Sequence, residues 1–246
     1  GGAVTDSAQV QVAGTTTISA AGNNITLDDD AADTDTYGTL VLTGANVIVV
    51  EDAASDLGLT SISGTLSLTS TGAVTDSAQV QVAGTTTISA AGSNITLDDD
   101  AADTDTYGTL VLTGVTVTVV EDAAMDLGTI GATTLTLTAA GTITQSGAAT
   151  VSGNSTFTAG NTDDVLLTNG GSDYTGTVAF VASVGSLANV TIDDNSALDL
   201  QALAITGNLD VTAGGAVTDS GQLQVTGTTT ISAAGSNITL DDDAAD

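Results

Sequence analysis

The sequence repeats itself almost without change, and this repetition limits the possible folds more than any other feature does. Residues 2–22 read GAVTDSAQVQVAGTTTISAAG, and residues 72–92 repeat them identically at a shift of 70. A close copy begins at Gly215 and a more divergent copy begins at Gly141. Self-similarity at a fixed period is typical of repeat architectures, in which each unit packs mainly on its neighbours.

Each long repeat divides into shorter units with a common pattern. The units start at Gly14, Gly38, Gly64, Gly84, Gly108, Thr133, Gly153, Gly176, Gly207 and Gly227. The fifth residue of every unit is apolar, as at Ile18 and Leu42, and the sixth carries a hydroxyl in all units except one, where Val181 stands. An apolar position beside a polar one is the period-two pattern of a strand with one buried face.

The spacing of these units predicts an all-β parallel β-helix, that is, a β-solenoid. It would have about ten coils of roughly 20–26 residues, grouped in super-repeats of about 70 residues. Tandem immunoglobulin-like β-sandwiches are the alternative, but sandwich strands are not copies of one another and the chain has no Trp. We expect residues 1–246 to form one continuous solenoid segment. Because LDDDAAD at 240–246 repeats residues 97–103, we also expect the segment to continue in a longer chain.

The charge of the chain excludes several classes of function. The sequence contains 30 Asp and Glu residues and no Lys, Arg or His, which gives a formal net charge of -30. Binding to nucleic acid or to an anionic membrane needs cationic side chains, so we expect neither partner. Without His or Cys, the usual ligands of zinc, haem and iron–sulfur clusters are absent, as are imidazole and thiol nucleophiles.

Acidic runs recur at similar positions in the units, and we expect them to line one solvated edge of the solenoid. Asp33-Thr-Asp35-Thr-Tyr37-Gly38 and its copy from Asp103 resemble the opening of a calcium loop, although Gly44 and Gly114 replace the bidentate Glu of such a loop. No cofactor is required; calcium held by the clustered carboxylates is one hypothesis, and a diffuse cloud of counterions is the simpler alternative. The candidate ligands are Asp28, Asp29, Asp30, Asp33, Asp35, Asp98, Asp99, Asp100, Asp103 and Asp105.

Catalysis by carboxylates needs two acids that face one substrate. Asp163-Asp164 and Asp193-Asp194 are adjacent pairs, and adjacent residues of a strand point to opposite faces. Near-identical repeats also disfavour a single distinctive active site. We therefore expect no enzyme and no catalytic residue.

The run G-T-L-x-L-T-x-x-G-x-x-V, with N-I-T-L and D-L-G between copies, resembles the repeat regions of large bacterial surface exoproteins. These are the filamentous-haemagglutinin-like and related β-strand-repeat adhesins. The resemblance implies a right-handed parallel β-helix, secretion, and a role as a stalk, fibre or adhesive surface. With no Arg in the sequence, an Arg-Gly-Asp cell-binding tripeptide is excluded.

These observations predict a structural extracellular or cell-surface protein. It would be a stiff acidic stalk or fibre segment of a repetitive adhesin that continues into a longer fibre or associates end to end into filaments. A glycan-binding module and a carboxylate-based glycan hydrolase remain the alternatives. A groove of convergent polar groups at one coil would favour the first, and turnover of a polysaccharide would favour the second.

Overall fold

A computed structural model describes residues 1–27, 34–97 and 104–240. The chain forms two compact units, Gly1–Glu121 and Asp122–Asp246. In the described ranges all regular structure is strand, and the fold is a parallel β-solenoid of about 11 turns in total. No helix of this part of the chain is long and apolar enough to cross a membrane. The prediction of a solenoid is therefore confirmed, and the sandwich alternative is wrong.

Unit 1 contains fourteen strands. They are β1 (Val4–Thr5), β2 (Thr15–Ser19), β3 (Ile25–Leu27), β4 (Thr39–Gly44), β5 (Val47–Glu51), β6 (Ser55–Leu57), β7 (Thr60–Ile62), β8 (Leu66–Ser70), β9 (Val74–Asp76), β10 (Val80–Val82), β11 (Thr85–Ser89), β12 (Ile95–Leu97), β13 (Thr109–Thr113) and β14 (Thr116–Glu121). The count refers to residues 1–27, 34–97 and 104–121.

Unit 2 contains sixteen strands up to residue 240. They are β15 (Met125–Ala132), β16 (Thr134–Ala139), β17 (Ile143–Gln145), β18 (Ala149–Val151), β19 (Ser155–Ala159), β20 (Val165–Leu167), β21 (Asp173–Tyr174), β22 (Thr177–Ala182), β23 (Val190–Asp194), β24 (Leu198–Leu200), β25 (Leu203–Ile205), β26 (Leu209–Ala213), β27 (Val217–Asp219), β28 (Leu223–Val225), β29 (Thr229–Ser232) and β30 (Ile238–Thr239).

In unit 1 the strands alternate between two parallel sheets. The first sheet runs β1-β3-β5-β8-β11-β13, and the second runs β4-β6-β9-β12-β14, with β2 also paired to β4. The short strands β7 and β10 also belong to the second sheet, in the order β10-β7-β4, with β7 beside the end of β4. The chain thus passes from one sheet to the other and back in each turn, and each strand pairs with one from the next coil.

Unit 2 follows the same plan. Its first sheet runs β15-β17-β20-β23-β26-β29, and its second runs β16-β19-β22-β24-β27-β30. The pairs β15–β18, β18–β21 and β25–β28 lie outside these paths. The ladders between strands of this unit are parallel, as a coil-on-coil stack requires.

The core forms because alternate residues of each strand point inward. In β4, Leu40 and Leu42 are fully buried while Thr39, Val41 and Thr43 are only half-buried. Most inward residues are Val, Ile, Leu or Ala, with a few larger rings. Phe157 stacks on Phe180 with ring centroids 5.8 Å apart. Thin side chains suit the narrow space between the two sheets of a coil.

Equivalent strands of successive repeats lie on opposite sheets. The segment GAVTD forms β1 in the first sheet of unit 1, but its copy forms β9 in the second. TTTIS shows the reverse, because β2 belongs to the second sheet and β11 to the first. The cause is that one repeat passes through the first sheet four times (β1, β3, β5, β8) and through the second sheet three times (β2, β4, and β6 with β7, which both pair with β4). A repeat therefore makes three and a half turns.

The predicted apolar column is correct locally but does not form one stack. Ile18 pairs with Leu42, and Leu68, Ile88 and Leu112 pair in succession. Leu42 and Leu68, however, belong to different sheets of unit 1, so the column breaks between them. The reason is the half turn left over in each repeat, which moves the same sequence to the other sheet.

Candidate functional site

The most distinctive polar feature is a cluster of one tyrosine and several acids inside unit 1, which we call tyrosine–acid cluster 1. Tyr37 is 1% exposed and its Oη donates a hydrogen bond to Asp6 Oδ2 at 2.7 Å. The Tyr37 backbone N–H donates to Glu51 Oε1 at 3.1 Å. The buried Asp35 accepts the backbone N–H of Val10 on Oδ1 at 2.7 Å. Three acids from three different coils thus converge on one ring.

Cluster 2, in the same unit, is the copy of cluster 1 seventy residues later. Tyr107 Oη donates to Asp76 Oδ2 at 2.9 Å, and its backbone N–H donates to Glu121 Oε1 at 3.0 Å. Val80 N–H donates to Asp105 Oδ1 at 2.6 Å. Because the geometry recurs with the sequence, the repeat itself encodes the cluster.

Cluster 3, in unit 2, keeps this arrangement with less charge. Gln145 stands where the other clusters have Asp6 or Asp76, and its Nε2 donates to Tyr174 Oη at 3.2 Å. Ser172 replaces Asp35 or Asp105, and its Oγ accepts the Ala149 N–H at 3.1 Å. Asp194 Oδ1 accepts the Tyr174 N–H at 3.3 Å, as Glu51 and Glu121 do for their tyrosines. Cluster 3 therefore keeps a hydrogen bond at each of the three positions although neutral groups replace two carboxylates, and the tyrosine hydroxyl accepts its bond here instead of donating it.

Burial sets the protonation of these groups. It raises the pKa of the Glu51 carboxyl above its usual range, and the amides of Tyr37 and Gly38 offset part of that rise. Burial likewise raises the pKa of Asp194, and the negative charge of Asp173 adds to the rise. The three tyrosines also have raised pKa values, chiefly through burial, so their hydroxyls stay neutral.

The acidic runs of the units include Glu51-Asp52, Glu121-Asp122 and Asp193-Asp194, and the prediction that they line a solvated edge is wrong for one acid of each run. Glu51, Glu121 and Asp194 are only 1%, 2% and 3% exposed. The period-two pattern explains their burial, because Glu51 follows the inward-facing Val47 and Val49 at the next inward position. Residues one position away from these acids do face outward: Asp52 is exposed and Asp193 is half-buried.

Of the ten candidate calcium ligands, only Asp35 and Asp105 lie in the described residues. Both are buried, and each uses Oδ1 to accept a backbone N–H. No group of three or more acids in the described ranges is arranged to hold a metal ion. The other eight candidates, Asp28, Asp29, Asp30, Asp33, Asp98, Asp99, Asp100 and Asp103, lie outside the described residues.

An open groove of about 410 Å³ lies beside β7 and β10 in unit 1. The polar residues that line it are Ser61 of β7, the following Ser63, Gln81 of β10, and Thr106. Gln81 pairs with Ser61 on one side and with Thr106 on the other, so these three lie in successive coils. The lining is neutral and offers hydroxyl and amide groups as hydrogen-bond partners.

Asparagine ladders hold the strand starts of successive coils together. In unit 2, Asp164 Oδ1 accepts the Asn189 N–H, Asn189 Oδ1 accepts the Asn208 N–H, and Asn208 Oδ1 accepts the Thr228 N–H, each at 2.9 Å. In unit 1, Asn46 Nδ2 donates to Asn24 Oδ1 at 3.1 Å. Asn directly before a strand was visible in the sequence as a turn residue, but not its contact with the next coil.

Comparison with known proteins agrees with this internal repetition. A family model described as repeats of unknown function (DUF5649) matches residues 1–43, 44–113, 114–181 and 187–246. No curated protein and no solved structure matches the chain.

Proposed function

The chain belongs to this family of repeats of unknown function, and from that premise we propose that it is a structural segment of a larger surface protein. In this role it is a stiff acidic stalk or fibre whose repeats set a distance and carry out no reaction. Its type is that of the filamentous-haemagglutinin-like adhesins, located outside the cell or on its surface.

One observation carries the proposal: parallel ladders in both sheets join each coil to the next. Five consecutive residues of β11 pair with β13, and five of β19 pair with β22. The tyrosine–acid clusters and the asparagine ladders add bonds between coils at the turns. Coils bonded in this way resist bending and separation, which is the property that a stalk needs.

The outer surface supports the same role. Outward strand positions carry mostly short hydroxyl side chains, such as Thr85, Thr87 and Ser89 of β11. The net charge of -30, with no Lys or Arg, disfavours association through the faces of the solenoid and leaves trypsin no cleavage site. Such a segment keeps its length in an extracellular environment that contains proteases.

The experiment that tests this role varies the number of repeats. Chains with two, four and eight copies of residues 72–141 are imaged by electron microscopy. At the strand spacing of about 4.8 Å, each copy of three and a half turns should add about 17 Å. In the full-length protein on cells, a terminal epitope should move outward when copies are added. An epitope height that is independent of copy number would contradict the proposal.

Open strand edges support end-to-end association of isolated chains. Strand β2 pairs only with β4, and β29 only with β26, so each has one edge without a neighbour in the described residues. Such edges readily pair with other strands. Sedimentation at increasing concentration should show filaments, whereas a monodisperse monomer at high concentration would count against association.

The groove of unit 1 favours glycan binding as a second candidate function. Its neutral hydroxyl and amide groups suit an uncharged oligosaccharide, while the net charge of the chain repels uronate and sulfate groups. A glycan array should then show binding to neutral glycans that Gln81→Ala weakens and Thr87→Ala, a variant at an outward position of β11 away from the groove, leaves unchanged. Equal binding by both variants would show that this groove is not the glycan-binding site.

A further inference from the structure

Glu51 is a buried acid with only part of its hydrogen-bonding capacity used. Its side chain is 1% exposed and Oε1 accepts the Tyr37 amide at 3.1 Å. Oε2 has no hydrogen-bond partner in the part of the chain that the structure describes. Ser55 lies close enough to interact with this carboxyl, but its Oγ does not meet hydrogen-bond geometry. Oε2 is therefore shielded from water and receives no hydrogen bond of normal geometry, and the nearby Ser55 only partly offsets the effect of burial.

Asp194 repeats this situation in unit 2. It is 3% exposed, and Oδ1 accepts bonds from the Tyr174 amide and from the amide and hydroxyl of Ser196. Oδ2 has no hydrogen-bond partner among residues 104–240 and the other described ranges. Both acids end a central strand, β5 or β23, at an inward position.

The groups that contact these two acids bring no positive charge. Glu51 accepts the amide of Tyr37, whose hydroxyl bonds to another acid, Asp6, and β8 places the neutral Ser70 opposite Glu51. Residues 28–33, which follow β3 in the sequence, lie outside the described residues.

Around Asp194, the nearby acid is Asp173, and β26 places Ala213 opposite. The sequence contains no Lys, Arg or His, so no side chain can supply a cation at either position. A buried carboxylate without a cation or full hydrogen bonding is strongly disfavoured.

We propose that Glu51 and Asp194 are proton-binding sites of the folded chain, each held as a neutral acid at pH values where the surface aspartates are ionised. Acidification then stabilises the folded solenoid, and a rise in pH destabilises it because the two buried acids lose their protons.

The linkage between protonation and folding gives the sign of the effect. Burial raises the pKa of both carboxyls in the folded chain. The stability that each proton contributes is fully present below the carboxyl pKa of the unfolded chain. It is lost as pH rises through the higher pKa of the folded chain. For each group, the unfolding equilibrium constant should increase by up to about tenfold per pH unit within that window.

The composition of the chain permits a direct measurement, because its only glutamates are Glu51 and Glu121. A chain labelled with ¹³C at glutamate Cδ gives two carboxyl signals in the folded state, and Glu51→Gln identifies which of them belongs to Glu51. We expect the Glu51 signal to titrate at a higher pH in the folded chain than in denaturant. Titration at the same or a lower pH would overturn the proposal.

Stability measurements test the consequence. Glu51→Gln and Asp194→Asn imitate the neutral acids, and Asp210→Asn removes one exposed charge from β26 as a matched control. We expect the two buried variants to raise the urea midpoint at pH 7 and to change it little at pH 4, with less pH dependence than Asp210→Asn shows. Equal destabilisation at both pH values would overturn the proposal.

A comparison with and without chelator distinguishes protonation of the two acids from the binding of a metal ion to them. The NMR titration and the urea series are repeated with and without chelator at fixed ionic strength. The proposal expects the same titration and the same pH dependence in both. A pH dependence that appears only with chelator would identify a bound cation as the partner of the acids and would overturn the proposal. If a variant fails to fold, the titration of the unsubstituted chain still decides.

Discussion

Tyr107 shows how a single polar residue can join coils inside an apolar solenoid. Its ring fills the core, its hydroxyl reaches Asp76, and its amide reaches Glu121. The sequence predicted the inward apolar positions but assigned the acids to a solvated edge. Counting by twos from Val117 and Val119 places Glu121 inside, but only if the strand extends to that residue. The extent of a strand is set by pairing between coils, which is not visible in one coil's sequence.

We expect Tyr107→Phe to destabilise the chain more than Tyr174→Phe does. The Tyr107 hydroxyl donates to a carboxylate, whereas the Tyr174 hydroxyl accepts a bond from the neutral Gln145. Hydrogen bonds to charged groups contribute about 1.5–3 kcal/mol and neutral ones about 0.5–1.5 kcal/mol. Urea denaturation of both variants measures the difference. A larger loss for Tyr174→Phe would show that the charge of Asp76 contributes nothing.

A glycine at a coil corner gives a second prediction at this scale. Gly108 has a φ of 62°, and a Cβ there would collide with the carbonyl oxygen of Gly84 in the preceding coil. Gly92 has a φ of 84° but open space around it. Gly92→Ala should therefore cost about 1–2 kcal/mol for the left-handed backbone alone, and Gly108→Ala should cost more. Equal urea midpoints for the two variants would contradict the close approach of the coils.

At the scale of elements, strand positions follow from local sequence but their assignment to sheets does not. TTTIS is identical in β2 and β11, yet the two strands lie in different sheets of unit 1. Period-two alternation identifies each strand and its buried face. Which sheet a strand joins depends on how many turns precede it, and turn lengths accumulate along the repeat. A column alignment therefore groups strands that do not stack on one another.

The asparagine ladder of unit 2 gives the prediction at this scale. Asn189→Ala removes the side-chain bond to Asp164 and the acceptor for the Asn208 amide. We expect a loss of about 1–3 kcal/mol, because a backbone donor loses its partner. Asn195→Ala is the control, since Asn195 is exposed and its bonds to neighbouring coils involve only its backbone. Thermal melts that place both variants at the same midpoint would contradict a stabilising role for the ladder.

At the scale of the whole molecule, we expect the many acidic residues to make the stability of the folded chain depend on calcium. Folding brings together acids that the unfolded chain keeps apart, and no side-chain cation offsets their repulsion. The candidate ligands include the Asp28–Asp30 and Asp98–Asp100 runs, which lie outside the described residues. We expect millimolar calcium to raise the melting temperature by preferential binding to the folded chain.

The calcium measurement compares thermal melts with calcium and with chelator at fixed ionic strength. Sodium chloride at the same ionic strength is the control, because it screens the repulsion without coordinating carboxylates. Coincident midpoints in calcium and chelator would mean that the acidic runs are only solvated turns.

The half turn left over in each repeat also determines which side chains the two sheets of unit 1 present on the outer surface. In unit 1, two successive repeats turn the same outward side chains to opposite sheets, as β2 and β11 do. The repeats are thus related by a pseudo-two-fold screw operation, and the two faces are chemically equivalent. Whatever recognises one repeat finds a second, matching site on the other face. If a partner recognises this surface, unit 1 offers it two matching sites, and binding at both would add avidity without any additional contact surface.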